Sequence, residues 1–131
     1  MAMLGAIVAI ERETKAAPQD IQRLATLLAE LTGRALVVGR MQCERAKGVM
    51  DVVPADSELE AVAAAMQLAG DDHALVAAAD LAHPSQELMR YLLHIRAGHE
   101  AVVPLRPDGS WQPLCALYHG RCAPRAQSLI A

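Results

Sequence analysis

The chain has 131 residues, a net charge of −3 and an apolar fraction of 53%, with no Phe and only Trp111, Tyr91 and Tyr118 as aromatics. That length suits one domain, 1–131, rather than two. The charge balance offers no basic stripe for nucleic acid, and the stacking aromatics of a single-strand binder are missing. No apolar run reaches the roughly 18 residues of a membrane span, so no membrane association is expected. The opening MAMLGAIVAI has no basic n-region and meets Glu11, Arg12 and Glu13 at once, so no signal peptide is read and the expected location is the cytoplasm. Cys43, Cys115 and Cys122 are odd in number and lack CxxC spacing, and the five histidines lack HxxxH or HExxH spacing. Reduced thiols are therefore expected, with no disulfide framework and no zinc site.

Gly5 to Ile10, GAIVAI, reads as a buried strand, short, continuous and branched. Pro18 then stands at or before the first turn of a helix. From Gln19 to Thr32, Ile21, Leu24, Leu28 and Leu31 recur at helical spacing, and Gly33 closes the pattern. Arg34 to Gly39 is a second strand and Val49 to Val53 a third, ended by Pro54. Ser57 with Glu60 three residues on is a capping-box signature, followed by an apolar face of Leu59, Val62, Ala63, Met66 and Ala69. Gly70-Asp71-Asp72 is a turn, and Ala74 to Ala79 a fourth strand. A helix from about Pro84 to Ala97 is expected to bury Leu88, Leu92 and Ile95, with Gly98 as its stop. Ala101 to Leu105 is a fifth strand, and Arg106-Pro107-Asp108-Gly109 a turn whose Pro fixes one φ and whose Gly accepts a positive one. Trp111 to His119 supplies further strand around that hairpin, and Cys122 to Ile130 a short last helix.

Strand and helix alternate through most of the chain. The expected architecture is a three-layer α/β/α domain with a mostly parallel central sheet and a late antiparallel hairpin. Ligands of such sheets sit beyond the carboxyl ends of the strands, where strand order switches. That selects the loops after Ile10, Gly39, Val53 and Ala79, which hold Lys15, Arg40, Asp56 and Asp80. Two carboxylates and two cations on one rim suit phosphates and magnesium. Each also has an ordinary reading: Asp80 as a helix-capping or solvated loop acid, Lys15 and Arg40 as surface cations, Asp56 as the residue before a cap, His83 as a loop histidine.

ALVAAADLAHPSQELMRYL followed by AVVPLRPDGSWQPLCALYHG resembles the molybdenum cofactor guanylyltransferases, and more broadly the nucleotidyltransferases with a Rossmann-like sheet. GRALVVG and DVVPAD resemble the family's second and third strands. The resemblance implies transfer of a guanylyl group from GTP, with Mg2+, to the terminal phosphate of molybdopterin, releasing pyrophosphate. It implies that Asp80 binds the metal, that Lys15 helps neutralise the triphosphate, and that Ala9 and Asp56 line the nucleotide. Asp80 and Lys15 are then the catalytic pair, and Gln112, Tyr118 and His119 support the pterin side. The implied partners are small molecules, with a protein partner or a further copy of the chain as an addition.

The chain departs from the family in one region above all. After the first strand it reads VAIERETKAAP, with Ile10 and Glu11 where paired glycines would cradle phosphate. SELEAV stands where the family has GPLAG, and Arg40 where an Asn is frequent. A second reading follows: a non-catalytic module that keeps the fold and acts in molybdoenzyme maturation or with a partner subunit.

Overall fold

Four apolar runs without alternation demand cover on both faces, and the fold supplies it. The computed structural model describes residues 3–9, 18–39, 52–53, 55–78, 86–105, 107–110 and 115–130. Its strands are β1 (Leu4–Ala9), β2 (Ala35–Gly39), β3 (Val52–Val53), β4 (His73–Ala78), β5 (Ala101–Val102) and β6 (Cys115–His119). Its helices are α1 (Pro18–Thr32), α2 (Glu58–Ala69), α3 (Gln86–His94) and α4 (Ala123–Ser128), the last preceded by a 3-10 turn, Gly120–Cys122. The six strands form one sheet in the order β3-β2-β1-β4-β6-β5. β1 pairs in parallel with both β2 and β4, and β2 in parallel with β3. β6 lies antiparallel to β4 on one side and to β5 on the other.

Side chains of β1 alternate between two cores. Ile7 joins Leu24 and Leu28 of α1, Met89, Leu92 and Leu93 of α3, and Leu75 and Leu117 of the sheet. Ala6 and Val8 point the other way, to Ala61, Val62, Ala65 and Met66 of α2 and Ala123 and Ala126 of α4. Two helical layers therefore sandwich the sheet, and the continuous apolar runs are the sequence imprint of that double burial. The alanine-rich face of α2 suits this role, because small side chains let a helix lie close to strands.

The three-layer, mostly parallel reading holds, and the differences from it are local. α3 ends at His94, short of Gly98, which sits in the following turn with φ 79°. Its buried stripe is Met89, Leu92 and Leu93, with Leu88 and Ile95 only half-buried. The helix is rotated so that Met89 faces the sheet, a difference of one residue in phase that a short apolar pattern does not resolve. β5 is two residues long rather than five. The hairpin it makes with β6 is not appended at the edge. β6 wedges between β4 and β5, so the antiparallel element is integral to the sheet.

Two glycines mark close fits of different kinds. Gly33 has φ 92° after α1 and open space around it, so its requirement is conformational. Gly120 sits where β6 meets the end of α2, and its N–H donates to the Asp72 carbonyl at 2.9 Å. A Cβ there would run into the carbonyl oxygen of Gly70 and lie 2.6 Å from that of Met66, both fixed backbone. Gly120→Ala is therefore expected to destabilise the chain by about 3 kcal/mol through overpacking, against about 1 kcal/mol for Gly33→Ala, whose Cβ is strained by the positive φ. Chemical denaturation of the two variants side by side checks the order.

Candidate functional site at the carboxyl rim of the sheet

The topology singles out one place on the sheet edge. From β1 the chain crosses by α1 to β2 and on to β3, then returns by α2 over the opposite face to β4, on the other side of β1. The strand order thus reverses between β1 and β4. The registers set Val8 beside Ala78 and Ala9 beside Gly39, so the ends of β1, β2 and β4 form one level rim. In open α/β sheets such a reversal marks the place where ligands bind, beyond the carboxyl ends of the strands.

Of the residues expected at this rim, Ala9 is the last of β1, its backbone paired with Gly39. Lys15, Arg40, Asp80 and His83 lie outside the described residues. Asp80 is the second residue after Ala78 in sequence, and Lys15 the sixth after Ala9. Asp56 is exposed and stands at the mouth of α2. Its backbone is firmly held. The Asp56 N–H donates to Glu60 Oε2 at 2.9 Å, the Glu60 N–H donates to Ser57 Oγ at 3.1 Å, and the Ala61 N–H to the Ser57 carbonyl at 2.9 Å. This is the reciprocal cap that the Ser57 and Glu60 spacing implied, reaching one residue further back than the usual pattern.

That cap bears on the chemistry of the rim. A bare helix N-terminus attracts anions. Here donors of the first turn are engaged internally, and Glu58 and Glu60 add negative charge to it. The arrangement suits the helix dipole and leaves α2 a poor phosphate seat.

Of the hairpin residues tied to the pterin side by resemblance, the two that are described lie at one end of the sheet. Because β6 is antiparallel to β4, Tyr118 pairs with Ala74 and His119 with His73, at the start of β4. His73 stands five positions before Ala78 along β4, roughly 17 Å. Tyr118 and His119 are thus at the end opposite the carboxyl rim, whereas Cys115, paired with Ala77, approaches it. Gln112 lies outside the described residues. His119 has a local role instead: its Nδ1 accepts from the Arg121 N–H at 3.0 Å. Its ring packs edge-on against that of buried His73, centroids 4.7 Å apart, and His73 Nε2 donates to the His99 carbonyl at 3.0 Å. Strand pairing brings these histidines together, which linear spacing could not reveal. Among the described residues no group of three or more His, Cys, Asp or Glu side chains could hold a metal.

The comparisons with known proteins point where the geometry does. Residues 19–131 match the model of the MobA-like NTP transferase domain. The chain belongs to this family. The match begins after Ala9 and Lys15. A probable molybdenum cofactor guanylyltransferase of Clostridium perfringens strain SM101 is 31% identical over 72 residues, 55% of this chain and 36% of that protein. The corresponding protein of strain 13 is 29% identical over the same length. The matched region thus spans about a third of these relatives. Among solved structures, a protein of Aquifex aeolicus VF5 superposes with a TM-score of 0.77 at 13% identity, over 97% of this chain and 75% of that one. A 4-diphosphocytidyl-2C-methyl-D-erythritol synthase does so with 0.64 at 15% identity, over 98% and 79%. These likenesses establish the fold, and the family makes the chain a nucleotidyltransferase-type domain with weak homology to the guanylyltransferases.

Tyr118 allows a check on the hairpin's placement. Burial pushes its phenol from the usual 10.0 up to about 12. The unfolded chain releases this proton near 10 and the folded chain only near 12, so the folded state binds the proton more strongly in between. The associated stability is fully present below pH 10 and lost as pH rises toward 12. Denaturation midpoints measured across that window should fall, and Tyr118→Phe should remove this share of the decline. Equal slopes in both proteins would place Tyr118 in water.

Proposed function

We propose that the chain is a nucleotidyltransferase domain acting on GTP and molybdopterin at the β1–β4 rim, in the cytoplasm. The observation that carries this reading is the reversal of strand order between β1 and β4, with the Asp80 segment following directly from β4. In a mechanism of this kind the terminal phosphate of molybdopterin attacks the α-phosphorus of GTP. An O–P bond forms to the acceptor, the bond to the β-phosphate oxygen breaks, and pyrophosphate leaves with that electron pair. No protein nucleophile is needed. Lys15 supplies a cation against the charge that builds on the phosphate oxygens. Asp80 offers a hard carboxylate oxygen, the donor type that magnesium takes, and would hold the ion together with phosphate oxygens and water. Magnesium bound there would neutralise the transferring phosphates and orient them in line. Ala9 ends the strand that leads into the triphosphate segment. Asp56, exposed on a rigid cap, stands where a nucleoside hydroxyl or base N–H could donate a hydrogen bond to its carboxylate.

One sequence observation favours a second reading. Ile10 and Glu11 replace the paired glycines, which removes freedom of φ and adds like charge next to phosphate. On that reading the domain binds a partner in molybdoenzyme maturation and does not transfer nucleotide.

Calorimetric titration with GTP and Mg2+ separates the two. The enzyme reading expects binding that requires Mg2+, a loss of about tenfold or more in affinity for Asp80→Ala and a smaller loss for Lys15→Ala, with folding unchanged. Pyrophosphate release should then depend on added molybdopterin. No binding of GTP by the wild-type chain would sink the enzyme reading and leave the partner-binding module.

A further inference from the structure

In the helical layer over one face of the sheet, α2 and α4 leave a groove of about 400 Å³ between them. Leu59, Val62 and Met66 of α2 and Ala126 and Leu129 at α4 line it. Leu59 and Leu129 are exposed, Leu129 to 67%, although both lie on the groove's walls. An apolar cleft flanked by bare leucines is unusual on a surface that faces only water.

We propose that this groove is the interface between two copies of the chain. The charges of its walls carry the argument. Among its charged side chains α2 has only acids, Glu58 and Glu60, and no base. α4 has Arg125 as its only charged residue, with no acid. Glu58 and Arg125 both line the groove, on opposite walls. A two-fold axis running along the groove exchanges the walls, setting the α2 of one copy against the α4 of the other. Glu58 then meets the other copy's Arg125, twice by symmetry, and Leu59 meets Leu129 across the axis. An isologous interface needs a patch that complements itself, and an acidic wall beside a basic one, with leucine on each, has that property. The groove is short, about 12 Å from Glu58 to Met66 along the helix, so the two walls come level within it. Apolar contact supplies the affinity, and the charge pairs fix the orientation.

Sedimentation analysis over a micromolar to millimolar series tests this with the full chain. The expected result is a concentration-dependent rise in mass from one chain toward two. Glu58→Arg and Arg125→Glu should each raise the dissociation constant by about tenfold, since each replaces an attraction by a like-charge pair. The double variant Glu58→Arg/Arg125→Glu should recover most of the wild-type association, because the pairs re-form with signs exchanged. Both positions are exposed, so circular dichroism should report unchanged folding. A chain that stays monomeric throughout overturns the proposal. So does a double variant no better than the single ones. Uptake of an apolar fluorophore such as anilinonaphthalene sulfonate by a persistently monomeric chain would make the groove a small-molecule pocket instead.

Discussion

Burial of β1 and β4 on both faces is the constraint from which the rest of the structure follows. Ala6, Ile7, Val8, Leu75, Val76 and Ala77 are removed from water in two directions at once. No single helix can do that. One layer must come from α1 and α3, the other from α2 and α4, and the crossings between strands must deliver helices alternately to the two faces. Right-handed crossings from a central β1 then force strand order to diverge on either side of it. The reversal of strand order at β1 is a consequence of covering the central strands.

The same constraint explains why the rim and the groove share an element. α2 spans one face of the sheet from its carboxyl end to its amino end. Its first turn is fixed by the Ser57 and Glu60 cap at the rim, its inner face is consumed by the sheet, and only an oblique strip remains for α4. α4 has six residues and closes part of that strip. The uncovered part is the apolar groove. Acid belongs at the start of α2 for reasons of helix dipole, so the acidic wall of the groove and the poor phosphate affinity of the α2 terminus have one cause.

Much of this was legible in the sequence, for physical reasons that differ by element. Doubly buried strands announce themselves as continuous apolar runs, which is why GAIVAI, ALVVG and HALVAA were found within a residue of their ends. The cap of α2 was legible because it is local, two polar side chains three positions apart. The phase of α3 was not, because Leu88, Met89, Leu92 and Leu93 support two apolar faces, and only the sheet beneath selects Met89. Leu59 continued the apolar stripe of α2 in sequence, yet it lies beyond the reach of α4 and stays exposed.

The direction and position of β6 were the least legible features, and they matter most for the site. A run such as CALYH buries its residues whichever way it points. Orientation is decided by the neighbours, β4 and β5, and by the length of the connection between β5 and β6. A motif read along the chain therefore carries no information about which end of the sheet its last residues reach. QPLCALYH reads as one unit, yet antiparallel pairing sends Tyr118 and His119 to the far end beside Ala74 and His73, and leaves Cys115 near the rim. Tyr118 and His119 contribute by packing and hydrogen bonding at the end of the sheet that anchors the 3-10 turn and α4. Resemblance in a linear motif reported the scaffold correctly. Where along the sheet the motif's last residues come to lie is decided by the pairing of β6 with β4.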